Sequence, residues 1–205
     1  MTSPAVVHLV DDDESLRTAL QRLLTAAGYR VRTYASAGDF LLEPPVDTTG
    51  CLLLDLRMPG PSGLDLQEAL TRHGVRLPVI FLTGHGDLPT GVRAMKAGAV
   101  DFLTKPVERE TLFAAVAHAI EVDAAQRTAR STHSDLQGRY AQLTKRERAV
   151  LDGVVAGKLN KQIAGDLGVA ERTVKAQRAQ VMAKLGATNA AELGRIAEQL
   201  RERGA

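Results

Sequence analysis

Five times within its first 120 residues, the chain passes from a short strand-like run into a stretch of helical periodicity. The strand-like runs fall at 6–10, 29–34, 51–54, 77–82 and 100–103, rich in Val, Leu, Ile and aromatic residues. After the first, Leu16, Leu20, Leu23, Leu24 and Ala27 recur on one helical face, and Gly28 ends the pattern. Further helices are predicted at 37–42, 64–70, 90–97 and 109–120. Repeated β-α units of this kind predict a five-stranded parallel sheet covered by helices on both faces. In such a sheet, functional groups gather beyond the carboxyl ends of the strands. Asp11, Asp55, Thr83 and Lys105 each stand just after a predicted strand, so that end is the candidate site.

At 205 residues, the chain suits one domain of ordinary size and a small one. With 44% hydrophobic and 24% charged residues it reads as globular rather than disordered. Aromatics make up only 3%, so the core must be built from Leu, Val, Ile and Ala. The apolar runs are too short to span a bilayer, and the N-terminus lacks a signal-type pattern. A cytoplasmic protein without a membrane partner is therefore expected. Cys51 is the lone cysteine, which excludes an internal disulfide. Its apolar neighbours predict a buried, unreactive thiol.

Between 121 and 142 the apolar periodicity fades and Arg, Ser, Thr and Gln accumulate, which predicts a linker, partly helical, centred on 123–140. Ser134-Asp-Leu-Gln137 could cap a short helix containing Leu136 and Tyr140. From Leu143 onward every signal is helical. Thr144-Lys-Arg-Glu147 is a capping box, followed by the apolar stripe Val150, Leu151, Val154 and Val155. Helices are expected at 161–167 and 171–185, separated by Gly168-Val169, with a last one at 190–203. Charge divides along the same line. Residues 1–122 hold 11 Lys/Arg against 15 Asp/Glu, and residues 123–205 hold 15 against 9. The second segment, net +6, suits a polyanionic partner, although solvated helix faces are often as basic.

The run Asp11-Asp12-Asp13-Glu14 has two readings. Acids at a helix start are favoured by the macrodipole and need no further role. A parallel sheet, however, also brings Asp55 to the same edge, and carboxylates gathered there repel unless a cation sits among them. Hard oxygen ligands with access to water suit Mg²⁺. Lys105 adds a fixed cation and Thr83 a hydroxyl.

The strings Val10-Asp-Asp12, Leu54-Asp-Leu-Arg-Met-Pro-Gly60, Leu82-Thr-Gly-His-Gly-Asp87 and Thr104-Lys-Pro106 resemble a receiver domain of a two-component response regulator. Ala94-Met-Lys-Ala-Gly-Ala-Val-Asp-Phe102 is similar to the FixJ type. The resemblance spans about residues 4–122 and implies a doubly wound, CheY-like (flavodoxin-like) fold. It implies that Asp55 accepts a phosphoryl group from a sensor histidine kinase. Mg²⁺ would be held by Asp12, Asp55 and the carbonyl of Arg57, with Asp11 helping, and Lys105 would pair with a phosphate oxygen. Thr83 and Phe102 would be the switch residues, and Arg57 and His85 could flank an attacking water. Val107 departs from the aromatic usual in the FixJ type, without touching the site.

A helix-turn-helix requires two helices joined by a short turn, the second presenting its N-terminal half to the major groove. Residues 161–185 satisfy that pattern, with Val174, Val181 and Leu185 as the buried stripe. Leu143-Thr-Lys-Arg-Glu-Arg148, Asn160-Lys-Gln-Ile-Ala164, Arg172-Thr-Val-Lys175 and Ala183-Lys-Leu-Gly186 resemble the LuxR/NarL-type DNA-binding domain over 141–203. Lys161, Thr173, Lys175, Ala176, Arg178 and Lys184 are the implied contacts to double-stranded promoter DNA. Ala170 replaces the usual Ser cap, and Ala176-Gln177 replaces a pair ending in His, so base preference does not carry over.

The implied function is a transcription regulator switched at Asp55, activated by dimerisation on phosphorylation or by release of a masked DNA-binding domain, with RNA polymerase as a further partner. Two other classes compete. An aspartate-based phosphatase would carry Asp-x-Asp, whereas this chain has Asp55-Leu-Arg57. A protein-interaction module would leave the helix-turn-helix pattern unexplained. The receiver's own chemistry is limited to self-phosphotransfer and self-hydrolysis, so no dedicated enzyme is expected.

Overall fold

The computed structural model describes residues 5–45, 49–84 and 88–201, at 88–90 by their backbone. The chain divides into two compact units, Met1–Gln126 and Arg127–Ala205.

The first unit runs β1 (Val6–Val10), α1 (Glu14–Ala26), β2 (Arg30–Tyr34), α2 (Ala37–Leu42), β3 (Gly50–Asp55), α3 (Gly63–Arg72), β4 (Val79–Gly84), α4 (Leu88–Lys96), β5 (Asp101–Lys105) and the start of α5 (Arg109–Ala141). All five strands pair in parallel, in the order β2-β1-β3-β4-β5. This is the doubly wound, flavodoxin-like order, whose topological switch lies between β1 and β3.

Two buried clusters show why the sheet is apolar on both faces. On one face Val7, Leu9, Cys51, Leu53, Ile80 and Leu82 meet Leu20 and Leu24 of α1 and Leu112, Val116 and Ala119 of α5. On the other, Val10, Leu52, Leu54 and Phe81 meet Phe40 of α2, Leu66 and Leu70 of α3, and Ala94 of α4. Strands buried on both sides read as continuous apolar runs rather than as alternation, which matches β1, β3 and β4, while the edge strands β2 and β5 are partly exposed. Cys51 lies within the first of these clusters, fully buried, and burial pushes its thiol up to about 12. The thiol is inert.

The second unit comprises the end of α5 with α6 (Lys145–Val155), α7 (Asn160–Leu167), α8 (Glu171–Leu185) and α9 (Ala190–Arg201). Its core joins Leu143, Val150, Leu151, Ile163, Val174, Val181, Leu185, Leu193 and Ile196. The expected capping box at Thr144 and Glu147 is formed. Gly168 ends α7 at φ 64°, a left-handed conformation that glycine adopts without steric cost, and so makes the turn into α8.

Two expectations at the linker are corrected. The helix starting at Arg109 does not stop near 120 but continues to Ala141, so 123–140 is helical throughout. Ser134 lies inside that helix rather than capping a new one. Asp123, fully buried, accepts a hydrogen bond from the Gly50 backbone N–H at 2.9 Å and fastens this helix to the start of β3.

Candidate functional site

Strand register assembles the acidic pocket. Val10 of β1 lies opposite Leu54 of β3, so the next residues, Asp11 and Asp55, emerge level at the carboxyl edge. On the far side Thr83 pairs with Thr104, and Gly84 with Lys105. Thr83 and Lys105 lie inside their strands, not beyond them, because β4 and β5 extend two residues further than the apolar runs. The end of β3 is closely covered: a Cβ on Gly63, the first residue of α3, would lie 2.4 Å from the Asp55 carbonyl oxygen. Only glycine fits there.

Carboxylate oxygens of Asp11, Asp12 and Asp55 all lie within 4.8 Å of one another. Asp11 and Asp55 are buried and Asp12 is exposed, so the group opens to water on one side. Lys105 bridges the two buried acids, with its ammonium 2.7 Å from Asp11 and 3.1 Å from Asp55. Burial raises the Asp55 pKa; Lys105 opposes that shift, Asp11 adds to it, and the backbone N–H of Arg57 opposes it again. Burial alone would lower the pKa of Lys105, but its hydrogen bond and charge contact with Asp11, joined by Asp55, outweigh it, and the net shift is upward.

The acidic run thus divides its labour. Asp13 is the N-cap of α1, accepting from the N–H groups of Ser15 and Leu16, and Glu14 begins the helix. Asp11 and Asp12 face the pocket. The macrodipole reading therefore holds for half of the run and fails for the other half. Sequence reasoning missed Arg17, whose guanidinium donates to the Asp11 carbonyl at 2.7 Å. Its position one turn into α1 was the available signal. Thr83 is buried at the pocket, its hydroxyl donating to the Gly84 carbonyl. Phe102 is half-buried and packs beside the α2-α3-α4 cluster. His85 lies outside the described residues.

In the second unit Val174, Val181 and Leu185 turn α8 toward the core, leaving Lys175 and Ala176 exposed. Lys175 makes a 3.4 Å surface ion pair with Glu171, Thr173 is half-buried, and Lys161 is exposed on α7. Arg178 donates to Asn160 Oδ1 at 3.1 Å, which ties α8 to α7. Ala170 leaves α8 without a side-chain cap. Lys184, expected to contact DNA, holds the buried Glu147 with its ammonium.

Residues 7–117 match the family described as response regulator receiver domain, and residues 141–197 the family of bacterial regulatory proteins of the luxR type. The chain belongs to the response regulators. Nodulation protein W of Bradyrhizobium diazoefficiens is 45% identical over 97% of this chain and 88% of its own length. The transcriptional regulatory protein FixJ of Rhizobium meliloti is 44% identical over 93% and 94%. Among solved structures, the response regulator StyR is 45% identical, covers 96% of this chain and 100% of its own, and superposes with a TM-score of 0.85. This response regulator therefore joins a receiver, which takes its phosphoryl group from a histidine kinase, to a LuxR-type DNA-binding domain. Among the described residues no helix is long and apolar enough to cross a membrane.

Proposed function

We propose that Asp55 is the phosphoacceptor and that its phosphorylation switches promoter binding by α8. The observation that carries this reading is the convergence of Asp11, Asp12, Asp55 and Lys105 at one sheet edge. Buried next to a fixed ammonium, Asp55 is an oriented nucleophile, and Lys105 is placed to take up charge on a phosphate oxygen. Phosphoryl transfer breaks the bond to the donor's nitrogen and forms an acyl phosphate on Asp55.

The donor set fits Mg²⁺: two or three carboxylates with an open, solvent-facing side. Asp12, Asp55 and the Arg57 carbonyl would hold it, with Asp11 assisting, and the bound ion would supply positive charge to the incoming phosphoryl group. Thr83 and Phe102 would carry the change toward α4 and α5. Self-hydrolysis of the acyl phosphate would reset the switch.

In functional terms the receiver spans 1–122, the linker 123–140 and the DNA-binding domain 141–205. Exposed Lys161, Lys175 and Ala176, with Thr173 and Arg178 beside them, form the DNA-facing set, and Lys184 leaves it. Phosphorylation would pair two receivers, so that two reading helices meet a roughly twofold-symmetric site. RNA polymerase is a downstream partner in this scheme. The cytoplasm is its setting, because promoter DNA is there.

Phosphorylation with Mg²⁺ and acetyl phosphate tests the acceptor. Wild type should gain one hydroxylamine-labile phosphate and Asp55→Asn none. Equal incorporation by the variant would refute the assignment.

A further inference from the structure

Lys184 sits eleven residues beyond Thr173 on α8, about 16 Å along the axis at 1.5 Å per residue. Base edges are read by the N-terminal part of such a helix, so this lysine is far from them. An ammonium has three N–H donors and no acceptor. Here the three have partners: both carboxylate oxygens of Glu147 at 2.8 Å and the Gln142 carbonyl at 3.3 Å. These bonds turn the ammonium toward the protein, with 35% of the side chain still exposed.

Glu147 is fully engaged as well. Its side chain is 4% exposed, and one of its oxygens also accepts from the Thr144 N–H at 2.7 Å in the capping box of α6. Gln142 directly follows α5, and Arg148 packs over Tyr140 of α5 while donating to the Ala141 carbonyl. The C-terminal end of α8, the start of α6 and the end of α5 therefore meet at one polar junction. Elsewhere the Arg178–Asn160 hydrogen bond ties α8 to α7, and α8 meets the core through the apolar Val174, Val181 and Leu185, with Met182 beside them. Such anchors resist separation but define tilt poorly, whereas directed hydrogen bonds at one end fix it.

We propose that Lys184 is a positioning residue for DNA recognition, clasping Glu147 and the end of α5 so that α8 holds the angle at which its N-terminal half reads bases. This rests on α8 being the reading helix. The clasp acts on base discrimination without contributing a DNA contact.

The test uses the full-length chain with Mg²⁺ and acetyl phosphate. Binding is measured to a duplex selected by wild type from a randomised pool and to a random duplex of equal length, across a salt series. In Lys184→Met the ratio of selected to random affinity should fall roughly tenfold, within the range for residues coupled in one network. The slope of log affinity against log salt should not change. Loss on both duplexes alike, with a slope shallower by about one, would make Lys184 a phosphate contact and overturn the proposal. An unchanged ratio in folded protein would reduce the clasp to a stabilising contact and also overturn it. If circular dichroism shows that Lys184→Met does not fold, Glu147→Gln/Lys184→Met carries the same expectation, because it leaves no buried charge unpaired. Lys175→Ala separates the two layers. If it lowers the ratio while the Lys184 variants do not, the clasp alone fails. If it leaves the ratio untouched, α8 is not the reader and the proposal falls with that reading.

Discussion

The two functional surfaces of this response regulator are built in opposite ways. In the receiver, Asp11 and Asp55 are withdrawn from water at the end of a sheet, and strand register brings them level. In the DNA-binding unit, Lys161 and Lys175 stand in solvent on helices whose opposite faces supply the core. A buried pocket is costly unless charges are matched, so its partners are already in place: Lys105 holds both acids. An exposed helix face costs little before DNA arrives, and its partners need not be present. The acidic pocket carries its charged partners in its own geometry, while α8 shows only how it is held.

That contrast predicts where substitutions will be severe. Chelating Mg²⁺ should abolish phosphate incorporation from acetyl phosphate, the largest effect expected. Asp12→Ala should slow it and weaken Mg²⁺ binding by about 10–100-fold, the range typical when support for a metal site is lost. Titration by isothermal calorimetry and incorporation of labelled phosphate would check both. A variant with wild-type metal binding would mean that Asp12 is only a solvated part of the helix start.

On the exposed side the effects should be smaller and depend on the partner. Lys175→Ala should cost about 1–3 kcal/mol on a selected duplex and less on random DNA if it reaches a base edge, as gel-shift titrations on both would show. Equal losses would place it on a phosphate. The smallest effect is expected at the start of α8, where Ala170 offers no side-chain oxygen. Ala170→Ser should stabilise the DNA-binding unit by about 1 kcal/mol, read as a higher Tm. No gain would show that the free N–H groups of this helix start are already satisfied in solution.

The same contrast governs what could be read from the residues alone. Apolar runs buried on both faces announced β1, β3 and β4, and Asp11 and Asp55 after the first two announced the pocket. The strand ends were misplaced by one or two residues because polar Thr83 and Lys105 continue the ladder beyond the apolar stretch. The long helix α5 was cut short at 120. Residues 124–135 carry Arg, Gln, Ser and Thr with no apolar stripe, and a helix polar all round gives no periodic signal. At its two ends that segment is flanked by the Asp123–Gly50 hydrogen bond and by Leu136 and Tyr140 against the second core. The partner of Lys184 was hidden for a related reason. Its place off the apolar stripe was legible, but the carboxylate of Glu147, 37 residues earlier, was not.

The claim that joins the two surfaces is that charge added at Asp55 governs DNA binding by a domain that begins more than eighty residues later. We propose that a change of state, rather than direct action of the added charge on DNA, carries the signal. The most direct measurement combines sedimentation and DNA binding of the full chain, with and without acetyl phosphate, for wild type and Asp55→Asn. Wild type should shift from monomer to dimer and bind its selected duplex more tightly on phosphorylation, while Asp55→Asn should do neither. A phosphorylated chain that gains DNA affinity while remaining monomeric would contradict pairing of receivers. An Asp55→Asn variant that responds like wild type would contradict the account as a whole.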